Sequence, residues 1–159
     1  MGAVDTSLLK PELVYFDFEA ENANDFFAKM EKLLAPKGYI KPTWLKAIQT
    51  REANYPTGLQ FDDIAVAIPH VEPENIAKPY IAIVKPKSSI PFKPMADMVD
   101  HLVETQLIIN LGLVSHDENQ VAVLQAMMGI FTNPDSVKEI LSQDSGEGMV
   151  DCFKRLFGE

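Results

Sequence analysis

Hydrophobic positions in the first third of the chain recur mostly at helical spacing. Apolar residues return every three or four positions across residues 23–34, and a proline and a glycine follow, which predicts a helix that ends there. A second, shorter helix is predicted over residues 43–52, followed by a loop at residues 55–58 that is dense in turn residues. Ahead of both helices, the short apolar run at residues 13–16 predicts a strand.

The middle of the chain changes to the short apolar runs that are typical of strands. Residues 64–68 form one such run, which Pro69 stops, and residues 80–84 form the next. Residues 89–92 predict a short edge strand, because the proline within them is poorly tolerated at the centre of a sheet. The longest run, residues 106–114, is apolar on both faces and therefore predicts a central strand.

Helical spacing returns in the last quarter of the chain. Three helices are predicted there: one with its apolar stripe over residues 121–131, one capped by Asn133, and one over residues 149–157. Helices on either side of a group of buried strands indicate an α/β sandwich. We expect a single domain over residues 1–159, with residues 1–11 as a loosely ordered N-terminus.

Composition and charge narrow the classes of partner. The 159 residues carry 14 Lys and Arg against 23 Asp and Glu, for a formal net charge of −9 and a pI near 4.8. This balance argues against nucleic acid or an anionic membrane as the main partner, because both attract basic surfaces. With one cysteine, no signal-peptide pattern and no apolar run of membrane-spanning length, we expect a cytoplasmic protein without disulfides or direct membrane insertion.

The acidity is uneven, and this draws attention to one arginine. Residues 35–52 are the only net-basic stretch, with four basic residues and one acidic, and Arg51 lies at its end. A guanidinium fork matches the oxygens of a phosphoryl group bidentately, and the Thr57 hydroxyl and the Gly58 amide could add neutral donors. Alternatively, Arg51 is a solvated residue late in an amphipathic helix.

His70 is a candidate functional residue because of its position just after a predicted strand. It follows an apolar strand and Pro69, so the chain must turn and present the imidazole at the strand end, where functional groups of α/β sheets tend to lie. The alternative is a surface histidine in a loop. No metal site is predicted, because the spacing of His70, His101 and His116 is not that of metal ligands. His101 is expected to be structural or exposed. Cys152 is expected to be a buried hydrophobe.

Two neighbouring segments resemble a known family. They are RExxxPTGL, from Arg51 to Leu59, and IAVAIPH, from Ile64 to His70. Together they resemble the signature of the fructose/mannitol-type IIA domains of the bacterial sugar phosphotransferase system, and the resemblance extends over roughly residues 12–157. It implies a three-layer α/β/α sandwich with a mixed central sheet, and a phosphotransferase that uses no cofactor and no metal.

The resemblance also assigns roles to individual residues. It implies that His70 accepts a phosphoryl group from phospho-HPr and passes it to the cysteine or histidine of a IIB subunit. A neutral imidazole nitrogen suits that task, because it is nucleophilic near pH 7 and forms a labile N–P bond. Arg51 is implied to stabilise the phosphoryl group, and Thr57 and Gly58 to help shape the pocket.

One position departs from the commonest pattern of the family. Mannitol- and nitrogen-type members have a second histidine at the start of the helix after the central strand, where this chain has Gln120; His116 lies four residues too early. The galactitol-specific branch resembles this sequence in having glutamine there and in its Pro-Thr-Gly run. Gln120 is predicted to bind near the phosphoryl group; the alternative is that it only closes a capping box with Asp117, and the two roles are compatible.

The resemblance therefore implies a free-standing IIA protein, closest to the galactitol type, that relays phosphoryl groups from phospho-HPr to a separate IIB subunit. One alternative is a regulatory homologue that binds other proteins according to its phosphorylation state. Another is an unrelated α/β binding module in which His70 is incidental. We expect partners to bind transiently around His70, through a modest apolar surface with a charged rim.

Overall fold

A mixed sheet of five strands lies at the centre of the molecule. The structure, a computed structural model, describes residues 5–114 and 118–158. The sheet contains β1 (Leu9–Phe18), β2 (Gly58–Gln60), β3 (Ala65–Ala67), β4 (Tyr80–Pro86) and β7 (Leu107–Gly112), while β5 (Ile90–Phe92) and β6 (Val103–Thr105) form a separate antiparallel pair. The order across the sheet is β1-β4-β7-β3-β2.

The middle position of β7 confirms the central strand predicted from the longest apolar run. All of its residues are buried, as expected for a strand covered on both faces. It runs antiparallel to β4 on one side and parallel to β3 on the other, which makes the sheet mixed. Since β3 is parallel to β7 and ends beside it, the residues that follow β3 lie against the central strand.

The helices form one layer on each face of the sheet. Successive residues of β4 alternate between two cores, with Ile81 and Ile83 on one side and Ala82 and Val84 on the other. The side of Ala82 is covered by α1 (Ala23–Leu34) and α2 (Trp44–Asn54), and the side of Ile81 by α3 (Glu118–Phe131), α4 (Pro134–Leu141) and α5 (Gly146–Leu156). The predicted three-layer α/β/α sandwich is confirmed.

Local side chains fix where two of the helices begin. Asn22 caps α1 by accepting a hydrogen bond from the Asp25 amide at 2.9 Å. Asn133 caps α4 in the same way, accepting from the amides of Asp135 and Ser136, which confirms the predicted cap. Within the described residues, no helix combines the length and the apolar character needed to cross a bilayer.

Three short elements differ from the sequence prediction. Within the region predicted to be a loose N-terminus, Asp5 caps a 3-10 turn and the buried Leu9 then begins β1. β2 begins at Gly58, inside the predicted loop, since it pairs with β3. β6 has no apolar run of its own and forms by pairing with β5, so the hydrophobic pattern does not predict it.

Candidate active site

His70 lies at the end of β3, next to the central strand. β3 stops at Ala67, and two residues later the chain forms an isolated parallel bridge between His70 and Leu111 of β7. The Leu111 amide donates to the Pro69 carbonyl at 3.1 Å. Proline has no amide hydrogen with which to extend the β3 ladder. The hydrogen bond to the carbonyl oxygen of Pro69 instead holds the turn against β7. The imidazole is thus presented at the strand end, as predicted.

The His70 ring is held in one tautomer. Its Nδ1 lies 2.9 Å from the Ile68 carbonyl oxygen. A carbonyl oxygen accepts and never donates, so this contact assigns the ring proton to Nδ1 and leaves the lone pair on Nε2. Nε2 faces Arg51, whose Nη2 lies 3.4 Å away. The nitrogen available for bond formation is therefore the one that faces the guanidinium group.

The surroundings of His70 keep its imidazole neutral. Burial is the largest influence and lowers the pKa of His70, the Ile68 carbonyl opposes it, Arg51 lowers the pKa further, and Glu72 raises it. The net pKa lies below the ordinary value of 6.5. A neutral imidazole at pH 7 retains the lone pair that a nucleophile needs.

Arg51, in the last turn of α2, is fixed by partners on two sides. Its Nη1 donates to Glu72 in an ion pair, and its guanidinium carbon lies 5.6 Å from the centre of the Tyr55 ring. The side chain is 29% exposed, so it is not the freely solvated residue of the alternative interpretation. Sequence reasoning missed Glu72 and Tyr55; the available signals were an acid two positions after His70 and an aromatic four positions after Arg51.

Thr57 and Gly58 follow α2, and their donor groups are bound within the protein. The Thr57 amide and hydroxyl both donate to the Glu52 carboxylate, at 2.7 and 3.0 Å. The Gly58 amide donates to the Lys93 carbonyl at 3.0 Å. Protein partners therefore occupy these donors in the structure, and a binding role of Thr57 and Gly58 toward a phosphoryl group stays a prediction. A Cβ atom on Gly58 would lie 2.6 Å from the Lys93 oxygen, so glycine permits this close approach.

A cleft of about 330 Å³ opens in front of His70. Arg51, Tyr55, Thr57 and residues 94–97 line it together with His70. Ala96 and Asp97 in that segment have left-handed backbone conformations, with φ of 51° and 53°, which are uncommon for residues with a Cβ atom. Strained backbone at a cleft is typical of functional sites.

Glu52 is a buried carboxylate that ties α2 to the start of β2. It is 6% exposed, and its hydrogen bonds to Thr57 join the helix that carries Arg51 to the strand that pairs with β3. Burial raises the pKa of Glu52 to about 7, against the opposing effects of the Thr57 hydrogen bonds and, more weakly, of Arg51. Sequence reasoning noted this residue as part of the motif without giving it this role.

Replacing Glu52 with glutamine is expected to change how stability depends on pH. A carboxyl whose pKa is higher in the folded chain binds its proton more tightly there, so its stabilising contribution is present at low pH and lost between pH 4.5 and about 7. His70 acts in the opposite direction, since its lowered pKa favours the fold as pH rises. Relative to Glu52→Gln, the wild-type free energy of unfolding should fall by roughly 2–3 kcal/mol between pH 5 and pH 8.

Urea unfolding of both proteins at pH 5 and pH 8 measures this difference. Glu12→Gln, at an exposed position in β1, is the control for losing a carboxylate without losing the contact between Glu52 and Thr57. Parallel pH profiles for wild type and Glu52→Gln would contradict the prediction.

Of the other residues singled out from the sequence, some do not line the cleft at His70, and the rest lie outside the part of the chain that the structure describes. Gln120 lies in the first turn of α3, and its side chain, like residues His116 and Asp117, is outside the described part of the structure. Cys152 is fully buried, as expected, and burial raises the pKa of its thiol to about 11. His101 is exposed, as expected.

The sequence of this chain is similar to those of known proteins. Residues 7–155 match the family model described as phosphoenolpyruvate-dependent sugar phosphotransferase system, EIIA 2. A galactitol-specific EIIA component of the phosphotransferase system from Escherichia coli K12 is 31% identical over 106 residues, which are 67% of this chain and 69% of that protein.

Two solved structures share the fold. The nitrogen regulatory protein IIA-Ntr from Neisseria meningitidis superposes with a TM-score of 0.75 at 21% identity, over 92% of this chain and 97% of its own. A complex of mannitol enzyme IIA with phosphorylated mannitol enzyme IIB from Escherichia coli superposes with a TM-score of 0.70 at 15% identity, over the same shares of each chain.

Proposed function

The chain belongs to the EIIA 2 family of the phosphoenolpyruvate-dependent sugar phosphotransferase system, a family with phosphotransferase activity, and from this premise we propose that it is a phosphocarrier acting through His70. The observation that carries the proposal is the geometry of the ring. Nδ1 is bound to the Ile68 carbonyl, and the Nε2 lone pair faces Arg51 at the cleft.

The proposed reaction is two phosphoryl transfers through one nitrogen. In the first, the Nε2 lone pair of His70 attacks the phosphorus of phospho-HPr; the Nε2–P bond forms as the donor's P–N bond breaks, and that electron pair stays on the donor imidazole. In the second, the cysteine or histidine of a IIB subunit attacks the same phosphorus, and the electron pair returns to Nε2. Such transfers depend on positioning and charge stabilisation more than on covalent machinery.

Arg51 supplies the charge stabilisation in this proposal. Its Nη2 already lies 3.4 Å from the accepting nitrogen, so it is within reach of an oxygen on a phosphoryl group bound there. Glu72 holds Nη1 and thereby fixes the plane of the guanidinium group. The same carboxylate partly neutralises the arginine, which weakens its hold on the phosphoryl dianion and favours onward transfer.

The partner surface is proposed to surround the cleft. Tyr55, which is 68% exposed, lines it, and the adjacent segment of residues 94–97 continues to Met98, which is 69% exposed. An exposed aromatic ring and a flexible thioether beside charged side chains suit a transient partner. The galactitol-specific relative makes a separate galactitol-type IIB the proposed acceptor.

Incubation with labelled phosphoenolpyruvate, enzyme I and HPr tests the proposal. We expect one acid-labile phosphoryl group on His70 and faster passage of the label to purified galactitol-type IIB than to fructose-type IIB. Absence of the label would exclude a phosphocarrier. A stable label that passes to neither IIB would instead support the regulatory alternative, in which phosphorylation controls binding to other proteins.

Gln120 is proposed to play a lesser part. An amide can donate a hydrogen bond to a phosphoryl oxygen but cannot titrate, so it gives weaker assistance than a histidine or an arginine. Gln120→Ala should slow transfer from phospho-HPr less than Arg51→Ala does, and much less than His70→Ala. Rates of labelling for the three variants measure this order, and equal losses would contradict it.

A further inference from the structure

A fully buried amide side chain interrupts the apolar central strand. Asn110 is 0% exposed, and its neighbours along β7 are isoleucine and leucine. A buried amide without partners is costly, so its hydrogen bonds indicate what its presence achieves. Asn110 belongs to neither of the sequence segments that resemble the family signature.

Asn110 connects Tyr80 to the residue before His70. Its Nδ2 donates to the Pro69 carbonyl at 3.0 Å, and its Oδ1 accepts from the Tyr80 hydroxyl at 2.7 Å. The Pro69 oxygen can only accept, which assigns the orientation of the amide. Burial raises the pKa of Tyr80 far above its ordinary value, so the hydroxyl keeps the proton that it donates.

The space for Tyr80 is provided by a glycine on the same strand as Asn110. Gly112 lies opposite Tyr80 in the β4–β7 ladder, and a Cβ atom there would come within 2.0 Å of the tyrosine ring. No side chain larger than hydrogen leaves room for the ring in this place. Tyr80, Asn110 and Gly112 therefore form one unit, in which the glycine admits the ring and the ring orients the amide.

The Pro69 carbonyl is the point at which this unit meets the active site. It accepts two hydrogen bonds, from Asn110 Nδ2 and from the Leu111 amide. Two donors fix the plane of the peptide between Pro69 and His70, and hence the position of the His70 Cα atom from which the side chain extends. The Ile68 carbonyl then fixes the rotation of the ring.

We propose that Asn110, oriented by Tyr80, is a positioning residue that aims Nε2 of His70 at the cleft. The effect on transfer rests on the proposed phosphocarrier function, whereas the effect on the ring does not. A misplaced nucleophile loses rate steeply, since a displacement of about 1 Å can cost on the order of 100-fold.

The test compares Asn110→Ala/Tyr80→Phe with Tyr80→Phe alone and with a matched control. The double replacement removes the amide and the hydroxyl together, so neither is left buried without a partner. Tyr39→Phe is the control, because Tyr39 is buried in the same core and its ring centre lies 5.4 Å from that of Tyr80. Nitrogen-15 NMR of His70 reports the tautomer, and labelling by phospho-HPr reports the transfer rate.

In the double variant we expect mixed tautomers of His70 and transfer slower by roughly 10- to 100-fold, with smaller changes of the same kind in Tyr80→Phe and none in Tyr39→Phe. Unchanged His70 spectra in the folded double variant, or in Tyr80→Phe if the double variant does not fold, would overturn the proposal. Because the spectra need no phosphoryl donor, changed spectra in a protein that never accepts the label would support the positioning role while rejecting the phosphocarrier.

Discussion

Replacing His70 with alanine is expected to reduce phosphoryl acceptance by at least about 1,000-fold, because the variant lacks the atom on which the N–P bond forms. Water cannot take its place, since its oxygen yields free phosphate rather than a phosphorylated protein. The measurement is acid-labile label from phosphoenolpyruvate, enzyme I and HPr, followed over time. The fold should persist, because the side chain lies half-buried at the end of β3 rather than within either core.

His101→Ala is the matched control for this experiment. His101 is exposed, and its Nδ1 lies 2.9 Å from the Leu102 carbonyl oxygen. Its loss should leave labelling at the wild-type level. Label that persists in His70→Ala at more than a few per cent of the wild-type rate would place the phosphoryl group on another residue and contradict the proposed chemistry.

Replacing Arg51 with alanine is expected to have the second-largest effect, a slowing of transfer by roughly 100- to 1,000-fold. The variant retains the nucleophile but loses the donors that face the developing charge. It also leaves Glu72 near His70 without its counter-charge, and this carboxylate repels an incoming phosphoryl dianion. Arg51→Lys should lie between alanine and wild type, because an ammonium group keeps the charge but not the two-pronged geometry.

Arg155→Ala is the control for the loss of an arginine from an ion pair. Arg155 pairs with Glu139 on the helical layer formed by α4 and α5, away from the cleft. The control should transfer at the wild-type rate. A second readout follows from the lowered pKa of His70, since removing Arg51 takes away one of the influences that lower it, and an NMR titration should show a higher pKa. Transfer by Arg51→Ala within threefold of wild type would contradict the assigned role.

Local periodicity and turn chemistry predict much of this fold. The helix at residues 23–34, the Asn133 cap and the central position of β7 follow from spacing, capping preference and an apolar run on both faces. The place of His70 follows from Pro69, which cannot extend a ladder. These features depend on residues close together in the chain, so a single sequence contains the information for them.

The remaining features of the fold and the site depend on contacts between residues that are far apart in the chain. Local sequence patterns contain little information about such contacts. Glu72 pairs with Arg51 across 21 positions, and Asn110 reaches Pro69 across 41. Thr57 lines the cleft, but its hydroxyl donates to Glu52. A side chain with several possible partners acquires one only when the layers pack, so its hydrogen-bond partner is harder to predict from the sequence than its place along the chain.

The bond between Glu52 and Thr57 has a consequence for how sequences of this kind can vary in length. Arg51 and Glu52 are neighbours on α2, one lining the cleft and the other bound to Thr57. One residue added between them would rotate the arginine by about 100° relative to the glutamate. A residue added before Thr57 would push the start of β2 out of register with β3. Descendants of this sequence that keep its site should therefore conserve the spacing from arginine to threonine and gain or lose residues elsewhere.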